Sequence, residues 1–390
     1  MRHRLLVLVA AATTIALTLA SCGRATLPFG SGTSPDETAR SSGYKTFSFL
    51  GQPAGANPYA GLVYIKGVFY GTTQQGGKYD DGTVFKFAAN KSTVLYSFKG
   101  SPRDGSHPLG KLVVVKGALY GTTENGGPTG TGTIFKIVGK KETVLYGFKS
   151  GSDGGSPTAG MIYEHGTFYG TTNMGGTYSM GTAFSFRGST ETVLHSFGAS
   201  PDGQFPYGPL VDVDGSFFGT TTTGGTHGMG TIFKLSGTTE TALYNFGDVS
   251  NDGGAPHSGL TDVGGALYGT TQQGGPTNNG TVFKFAGTAE TTVYAFRGLN
   301  GDDGNAPYAG VISVKGALYG VTSEGGKTNN GVLFKIVGTR EKVVHNFAST
   351  NSNDAKGPMG DLIDVTGTLY GTAFIGGSAG DGAVFTQKLK

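Results

Sequence analysis

Cysteine and tryptophan are nearly absent from this chain of 390 residues, which has one Cys and no Trp. A single Cys cannot form an internal disulfide, and it excludes zinc or iron–sulfur sites built from several cysteines. Helical periodicity is missing as well, because no run of about ten residues beyond the amino-terminal region repeats its apolar positions at helical spacing. These absences exclude a disulfide scaffold and a helical repeat protein.

Glycine, by contrast, is abundant, with 72 residues in the chain, well above the usual fraction of about 7%. Gly does not recur at every third position, so the chain is not collagen-like. The sequence also has 25 Phe and 18 Tyr, too many large rings for a disordered low-complexity chain. The composition therefore predicts an ordered protein with many turns.

The amino terminus has the organisation of an export signal. Two arginines precede an apolar run at 5–20, which is too short to span a membrane comfortably. The run ends in Leu-Ala-Ser-Cys, which resembles the lipobox of bacterial lipoproteins, and the only Cys stands where lipid is attached. We therefore predict a signal peptide at 1–21 and lipidation of Cys22, which would supply several acyl chains for stable anchoring. The alternative is an ordinary signal peptide followed by an incidental Cys.

Residues 22–43 are rich in Gly, Ser, Thr and Pro and have no apolar period, which predicts a flexible tether. These features predict an exported protein, lipid-anchored to the bacterial cell envelope at the outer membrane or cell surface, with the membrane as a partner. Loss of Arg2 and Arg4 with the signal peptide lowers the net charge from +3 to +1. So small a charge predicts no nucleic-acid partner.

Seven repeats fill residues 44–390, the third predicted domain. Each contains a segment related to Leu-Tyr-Gly-Thr-Thr, and successive copies are 49 to 51 residues apart. The ring residue of this segment is Tyr70, Tyr120, Tyr169, Phe218, Tyr268, Tyr319 and Tyr370. Repeats of this length with several short β-branched or aromatic runs predict a β-propeller rather than a helical solenoid.

Each repeat predicts four strands, A to D, which lie at 62–65, 68–73, 83–87 and 93–98 in the first copy. Lys66-Gly67 joins strands A and B, and its Gly permits the two-residue type I′ hairpin turn. The spacing between strands is constant in all repeats, and the variation in length falls in the connection from D to the next A, which has 9 to 11 residues. A rigid unit joined by one adjustable loop gives this pattern.

The strand count predicts a closed ring. From residue 62 onward, strands A, B and C occur seven times, but strand D occurs only six times. The missing D strand precedes the first unit, because residues 44–49 match 93–98. We therefore predict an all-β, seven-bladed β-propeller of four-stranded blades, closed by the N-terminal strand pairing into the last blade, which removes exposed edges. An open β-solenoid is the alternative, but it does not explain the displaced D strand.

The repeated unit can be compared with a known family. Its pattern Gly-x-Leu-Tyr-Gly-Thr-Thr-x-x-Gly-Gly, followed by Gly-Thr-Val-Phe-Lys, stands at 117–127 and 132–136 with Ile134 for Val. It resembles the GloVer-type tandem repeat of bacterial cell-surface proteins, and the resemblance covers about 44–390. Departures occur at single positions, such as Phe218, Val321 and Ala373. The resemblance implies an exported, surface-anchored protein and assigns no chemistry.

An Asp-Gly pair recurs in the D-to-A connections. The Asp residues are Asp104, Asp153, Asp202, Asp252 and Asp303. Asp-Gly is a turn signal, so a structural turn is one interpretation. A calcium site at Asp252 and Asp303 is the other, because Asn251 and Asp302 add oxygens, although no loop carries the six to eight ligands that calcium takes. We expect no other cofactor, and the lack of Trp disfavours sialidase-type Asp-boxes.

The B-to-C and D-to-A loops are predicted to share one face, since successive strands are antiparallel. After the Pro that precedes each strand A come Tyr59, Leu109, Thr158, Tyr207, His257, Tyr308 and Met359. These residues should ring the mouth of the central channel if strand A is innermost. We predict a ligand site there, formed by Tyr59, Tyr207, His257, Tyr308, His107, Glu124 and Glu324. The alternative is that these side chains only plug and rim the channel.

Three functions remain compatible with this sequence. A ring of similar blades favours a binding or scaffold module, expected to be monomeric, for a glycan or a protein partner. A propeller enzyme, a lyase or hydrolase with its site on the wide-loop face and possible calcium dependence, is the second. His107, His227, His257, Glu124 and Glu324 are its acid–base candidates, but no nucleophile motif accompanies them, so we assign no catalytic residue. A purely structural envelope protein is the third.

Overall fold

The computed structural model describes residues 43–348 and 353–390. The first blade shows how the sequence forms each unit. Its strands are Val63–Ile65, Val68–Thr73, Thr83–Ala88 and Lys91–Ser97, each rich in β-branched or aromatic residues. They pair in sequence order, each antiparallel to the next. The predicted strands are confirmed, and only their ends differ, by one or two residues.

The same four-stranded sheet occurs seven times. Strand A of blades 2 to 7 comprises Val113–Val115, Ile162–Glu164, Val211–Val213, Thr261–Val263, Ile312–Val314 and Ile363–Val365. Strand B comprises Ala118–Thr123, Thr167–Thr172, Ser216–Thr221, Ala266–Thr271, Ala317–Thr322 and Thr368–Gly376. Strand C comprises Thr133–Val138, Thr182–Arg187, Thr231–Ser236, Thr281–Ala286, Val332–Val337 and Ala383–Lys388. Strand D of blades 2 to 6 comprises Lys141–Gly147, Thr190–Ser196, Thr239–Asn245, Ala289–Ala295 and Arg340–Asn346.

The ring closes through the first described strand, as predicted. Tyr44–Ser48 is strand D of blade 7 and pairs antiparallel with the last strand of the chain, with Tyr44 opposite Gln387 and Ser48 opposite Ala383. This pairing gives blade 7 the same number of main strands as the other blades. The protein is therefore a seven-bladed β-propeller, and no open end of the array is left as an unpaired edge.

Phenylalanine pairs fill the interfaces between blades. Phe98, which follows strand D of blade 1, packs edge-to-face against Phe135 in strand C of blade 2, with ring centroids 5.0 Å apart. All seven junctions have this pair, and the closing junction has Phe49 against Phe85 at 4.9 Å. These four rings have at most 1% of their surface exposed. The Phe columns therefore form the core, with the ring geometry that aromatic pairs prefer.

The two sides of the ring have different loops. On one side, the A–B hairpins have positive φ at both central residues, 47° at Lys66 and 89° at Gly67, as a type I′ turn requires. On the other side, the D–A connection and the B–C loop of a blade pair with each other, as Gly105–Ser106 does with Asn125–Gly126. The prediction that both wide loops share one face is confirmed.

The short two-stranded ribbons on the wide-loop face are the remaining strands. In blades 3 to 6 they are Gly154–Gly155 with Met174–Gly175, Gly203–Gln204 with Thr223–Gly224, Gly253–Gly254 with Gln273–Gly274, and Gly304–Asn305 with Glu324–Gly325. In blade 7, Ala355–Pro358 pairs with the extended strand B. One 3₁₀ helix, Gly298–Gly301, lies in a D–A connection. Among the described residues, no helix has the length and apolar character needed to cross a membrane.

Candidate functional site

The residues predicted to ring the channel mouth come together in one cleft. The cleft is open to solvent and has a small cavity volume of about 60 Å³. Its lining includes Tyr59, Leu109, Thr158, Tyr207, His257, Tyr308 and Met359, one from each blade. The position after the repeated Pro therefore faces the centre of the wide-loop side in every blade.

A repeated backbone bond sets the rim of this cleft. The amide of His107, in the segment leading to strand A of blade 2, donates to the carbonyl of Asp81 in the B–C loop of blade 1 at 2.9 Å. The equivalent bond occurs at every junction, and at the closing junction Asn57 donates to Asp381 at 2.8 Å. The donor residue has a left-handed backbone, with φ of 54° at His107 and 57° at Asn57. Each blade is thereby fixed to its neighbour just before the residue that lines the cleft.

Glycine allows the inner segments to approach each other below the rim. A Cβ on Gly110 would lie 2.6 Å from the carbonyl oxygen of Ala159 in the next blade, and one on Gly160 would lie 2.5 Å from that of Lys111. No side chain fits at such distances. The backbones of neighbouring inner segments are therefore in contact at the centre of the ring. The large side chains, such as those of Tyr59 and His257, lie above this contact, at the mouth of the cleft.

Three aromatic rings form a continuous arc along the cleft. His257 lies between Tyr207 and Tyr308, with ring centroids 5.0 and 5.1 Å away. The hydroxyl of the fourth ring, Tyr59, lies close enough to that of Tyr207 for each to affect the pKa of the other. Burial, and then the interaction with Tyr207, raise the pKa of Tyr59 above its usual range. The tyrosines therefore present neutral hydroxyl groups and apolar ring surface to the same space.

The imidazole of His257 is neutral at physiological pH. Burial lowers its pKa below the usual 6.5, and its Nδ1 lies 3.1 Å from the carbonyl oxygen of Ala255. A carbonyl can only accept a hydrogen bond, so Nδ1 carries the proton and Nε2 is the acceptor. The arc thus combines a fixed acceptor in its middle with hydroxyl groups on both sides.

The other predicted site residues lie beside the cleft rather than in its lining. Glu124 affects the pKa values of Tyr59 and Tyr207, so its carboxylate is close to both hydroxyls. Burial raises the pKa of Glu124 itself, and nearby His107 opposes this effect. Glu324 is exposed and accepts a hydrogen bond from Asn305 at 3.1 Å. Its charge helps to raise the pKa of Tyr308. These side chains give the mouth a carboxylate on two sides.

The sequence analysis missed two charged residues that line the cleft. Lys111 and Asp361 both belong to the lining, and Asp361 Oδ1 accepts a 3.0 Å hydrogen bond from the amide of Gly310. Each lies two residues after the ring-forming position of its own blade, and no other blade has a charge there. That break in the repeat was the signal that could have identified them. His227, by contrast, is exposed and pairs with Asp248 at 2.8 Å, and it is not part of the lining.

Asp252 and Asp303, the predicted calcium ligands, hold the D–A connections in place. Asp252 Oδ2 accepts from the Tyr244 hydroxyl at 2.7 Å and from the Gly247 amide at 2.8 Å, and Oδ1 accepts from the Gly253 amide at 2.6 Å. Asp303 has the same three types of contact. The structure thus gives these carboxylates a structural role in the turn. Calcium binding by them stays a prediction.

Other predictions concern the amino-terminal region. The signal peptide at 1–21, the lipidation of Cys22 and the tether at 22–43 lie outside the described residues, except for Gly43 at the end of the tether. They stay predictions. The described strands run from Tyr44 to Lys388, and the domain bounds of 44–390 also stay a prediction.

Comparison with known proteins identifies the repeat. The sequence model of the Gloeobacter/Verrucomicrobia repeat matches residues 30–184 and 165–385. Together these matches cover nearly all of the propeller. No curated protein matches the chain.

Proposed function

This chain belongs to the Gloeobacter/Verrucomicrobia repeat family, and we propose that it is a lipid-anchored envelope protein whose propeller binds a neutral glycan at the channel mouth. The arc of Tyr207, His257 and Tyr308 carries this proposal. Ring faces pack against the apolar faces of sugars, while hydroxyl groups and a neutral imidazole exchange hydrogen bonds with sugar hydroxyls. A glycan is the ligand class that needs both kinds of contact in one small cleft.

The size of the cleft favours the end of an oligosaccharide over a protein surface. Its cavity volume of about 60 Å³ is smaller than that of sites that enclose a whole small molecule, about 300–1,000 Å³, so it would receive only the tip of a ligand, and a stable protein interface needs a much wider contact area. Membrane attachment through Cys22 would place this mouth outside the cytoplasmic membrane, where cell-envelope and environmental glycans occur.

Glycan-array screening of the purified chain, followed by calorimetry with the best ligand, tests the binding site. We expect His257→Ala to weaken binding at least tenfold, because it removes both the central ring and the acceptor. Tyr178→Ala is the matched control, since Tyr178 is an aromatic residue on the same face, 58% exposed and not part of the lining. Equal affinity in wild type and His257→Ala would contradict the proposal. Release of new reducing ends from the bound glycan would favour the alternative of a propeller hydrolase.

The anchor requires a separate experiment. We expect the chain to incorporate labelled palmitate in a bacterial host and to fractionate with membranes, and Cys22→Ser to abolish both. Ser21→Ala, next to the same site and still small, should keep both. Membrane attachment of Cys22→Ser equal to wild type would exclude lipidation at this residue while leaving the glycan site untouched.

A further inference from the structure

A carboxylate pair recurs on the wide-loop side of the blade interfaces. In blade 1, the Tyr96 hydroxyl in strand D donates to Asp104 Oδ2 at 2.6 Å, and the Gly105 amide donates to Oδ1 at 2.7 Å. Glu142, from strand D of blade 2, lies close enough that the charge of Asp104 helps to raise its pKa. The same Tyr, Asp and Glu positions recur in blades 2, 4 and 5. In each of these blades, both oxygens of the Asp are used by the tyrosine and the backbone.

Blade 3 breaks this pattern because His195 stands where the others have Tyr. His195 Nε2 lies 3.0 Å from Asp202 Oδ2, which also accepts from the Gly198 amide at 2.8 Å. Asp202 Oδ1 is buried and, within the described ranges, has no hydrogen-bond partner, unlike the Oδ1 atoms of the tyrosine blades. Glu240 Oε1, from blade 4, is buried without a partner in the same sense, as are the equivalent Glu oxygens at the tyrosine blades, so Asp202 Oδ1 is the atom that sets blade 3 apart. A nitrogen and two carboxylate oxygens of these residues all lie within 4.8 Å of one another.

We propose that His195, Asp202 and Glu240 form a binding site for a divalent transition-metal ion, of the Zn²⁺ type, that links blade 3 to blade 4. One imidazole and two carboxylates are a ligand set that zinc accepts, with bonds of about 2.0–2.2 Å. Tetrahedral ligands at such distances are about 3.4 Å apart, close to the separation of His195 Nε2 from Asp202 Oδ2. Calcium fits less well, because it takes six to eight oxygen ligands.

Partial exposure leaves room for the ion to enter and for water to complete its coordination. The side chains of His195 and Asp202 are 22% and 19% exposed. A cation between the two carboxylates would also relieve their repulsion.

In blade 6, His also replaces the Tyr of the repeat, but the neighbouring residues described by the structure do not form a metal site. His345 Nε2 lies 3.0 Å from Asp354 Oδ2. Here, however, Asp354 Oδ1 accepts hydrogen bonds from the Ala355 amide and from the Tyr44 hydroxyl. Tyr44 pairs with Gln387 in strand C of blade 7, and Glu142 pairs with Ile137 at the equivalent position in strand C of blade 2. In blade 7, a Tyr therefore occupies the position that Glu240, the third ligand, has in blade 4. A His that simply replaces Tyr as a hydrogen-bond donor therefore leaves no free carboxylate oxygens.

Zinc titration of the full chain after EDTA treatment, with a competing chromophoric indicator, tests the site. We expect His195→Tyr and Glu240→Gln each to weaken zinc binding at least tenfold and to lower the zinc content in native mass spectra by one ion. Glu142→Gln makes the same change in a blade with Tyr96 and should leave zinc binding as in wild type. Saturating zinc should raise the Tm of wild type and not that of His195→Tyr.

Two outcomes would overturn the proposal. One is an equal number and affinity of zinc ions in wild type and His195→Tyr. The other is the absence of zinc binding by wild type. Loss of folding cannot hide the result, because Tyr at this position is the residue that blades 1, 2, 4 and 5 contain, and the metal-free Tm of the variant reports its fold. Cobalt(II) gives an independent readout, since visible absorption bands of a nitrogen- and oxygen-ligated ion should appear with wild type and not with His195→Tyr.

Discussion

The Tyr44 hydroxyl donates a 2.6 Å hydrogen bond to Oδ1 of Asp354, 310 residues away in the chain. This bond joins the closing strand of blade 7 to the D–A connection that follows blade 6. Tyr44 also stacks on His345 with ring centroids 3.6 Å apart. The closing strand is thus held by its neighbour blade as well as by the ladder of its own sheet.

Replacement of Tyr44 by Phe should destabilise the propeller by about 1–2 kcal/mol, because a buried hydrogen bond to a carboxylate is lost while the ring stays. Urea denaturation followed by circular dichroism measures the change. Tyr178→Phe, at a residue 58% exposed, should have no effect. Identical midpoints for Tyr44→Phe and wild type would show that the bond adds nothing to ring closure.

The buried threonines of strand B offer a matched pair for a second prediction. Thr122 Oγ1 donates to the carbonyl of Ala159 in the next blade at 2.9 Å, whereas Thr72 Oγ1 is buried and has no partner in the described part of the chain. Valine has the shape of Thr without the hydroxyl. Thr122→Val should therefore cost about 1 kcal/mol, and Thr72→Val should be neutral or stabilising. Urea midpoints of the two variants decide the matter, and an equal loss in both would contradict this account.

Stability should fall as the pH rises from 5 to 8, because of carboxylates at the blade interfaces. Burial, and then a neighbouring Asp, raise the pKa of Glu142 to about 7 and that of Glu191 to about 8, while Lys99 and Lys149 oppose the shifts. With folded pKa values above the unfolded value of 4.5, the native state binds more protons than the unfolded state in this range. Its stability is therefore lost as these groups ionise.

The double variant Glu142→Gln and Glu191→Gln tests the cause of this slope. We expect its urea midpoint to change less between pH 5 and pH 8 than that of wild type, since two of the groups that titrate are gone. Glu164→Gln, in a strand A, is the control and should keep the full slope. A steeper slope in the double variant would reverse the assignment.

Glycan affinity, on the proposed function, should be constant from pH 8 to 6.5 and fall at lower pH. Burial lowers the pKa of His257, so the ring stays neutral over that range, and its protonation at lower pH removes the acceptor at Nε2. Tyr207, Tyr308, Lys111 and Asp361 share the cleft with it, and burial raises the pKa of Glu124 beside the cleft. Calorimetry at several pH values measures the affinity. An affinity that rises on acidification would contradict the role of His257 Nε2 as a hydrogen-bond acceptor.

The repeat made the fold and much of the cleft predictable from sequence. Constant spacing placed one residue of each blade at the channel mouth, so Tyr59 and His257 could be assigned to one surface although they are far apart in the chain. The displaced D strand at 44–49 predicted closure for the same reason, since only a ring gives it a partner.

Contacts between blades could not be predicted in this way. The tyrosine that bonds Asp104 is in its own repeat, but Glu142 comes from the next one, and the repeat pattern does not show which faces of two blades meet. The cluster of His195, Asp202 and Glu240 was missed because Asp202 was interpreted only as a turn former, and the metal-site interpretation was restricted to Asp252 and Asp303. His195 broke the Tyr column, and that irregularity was the available signal.

The joint that closes the ring uses the same pairs of groups as the six internal joints, from the Phe–Phe contact to the bond between Asn57 and Asp381. The two ends of the described structure also touch, because the Lys388 amide donates to the Gly43 carbonyl at 3.0 Å. The folded propeller therefore does not depend on which blade contains the chain termini. A circular permutant with these ends fused, and new termini in another D–A connection, should assemble the same protein.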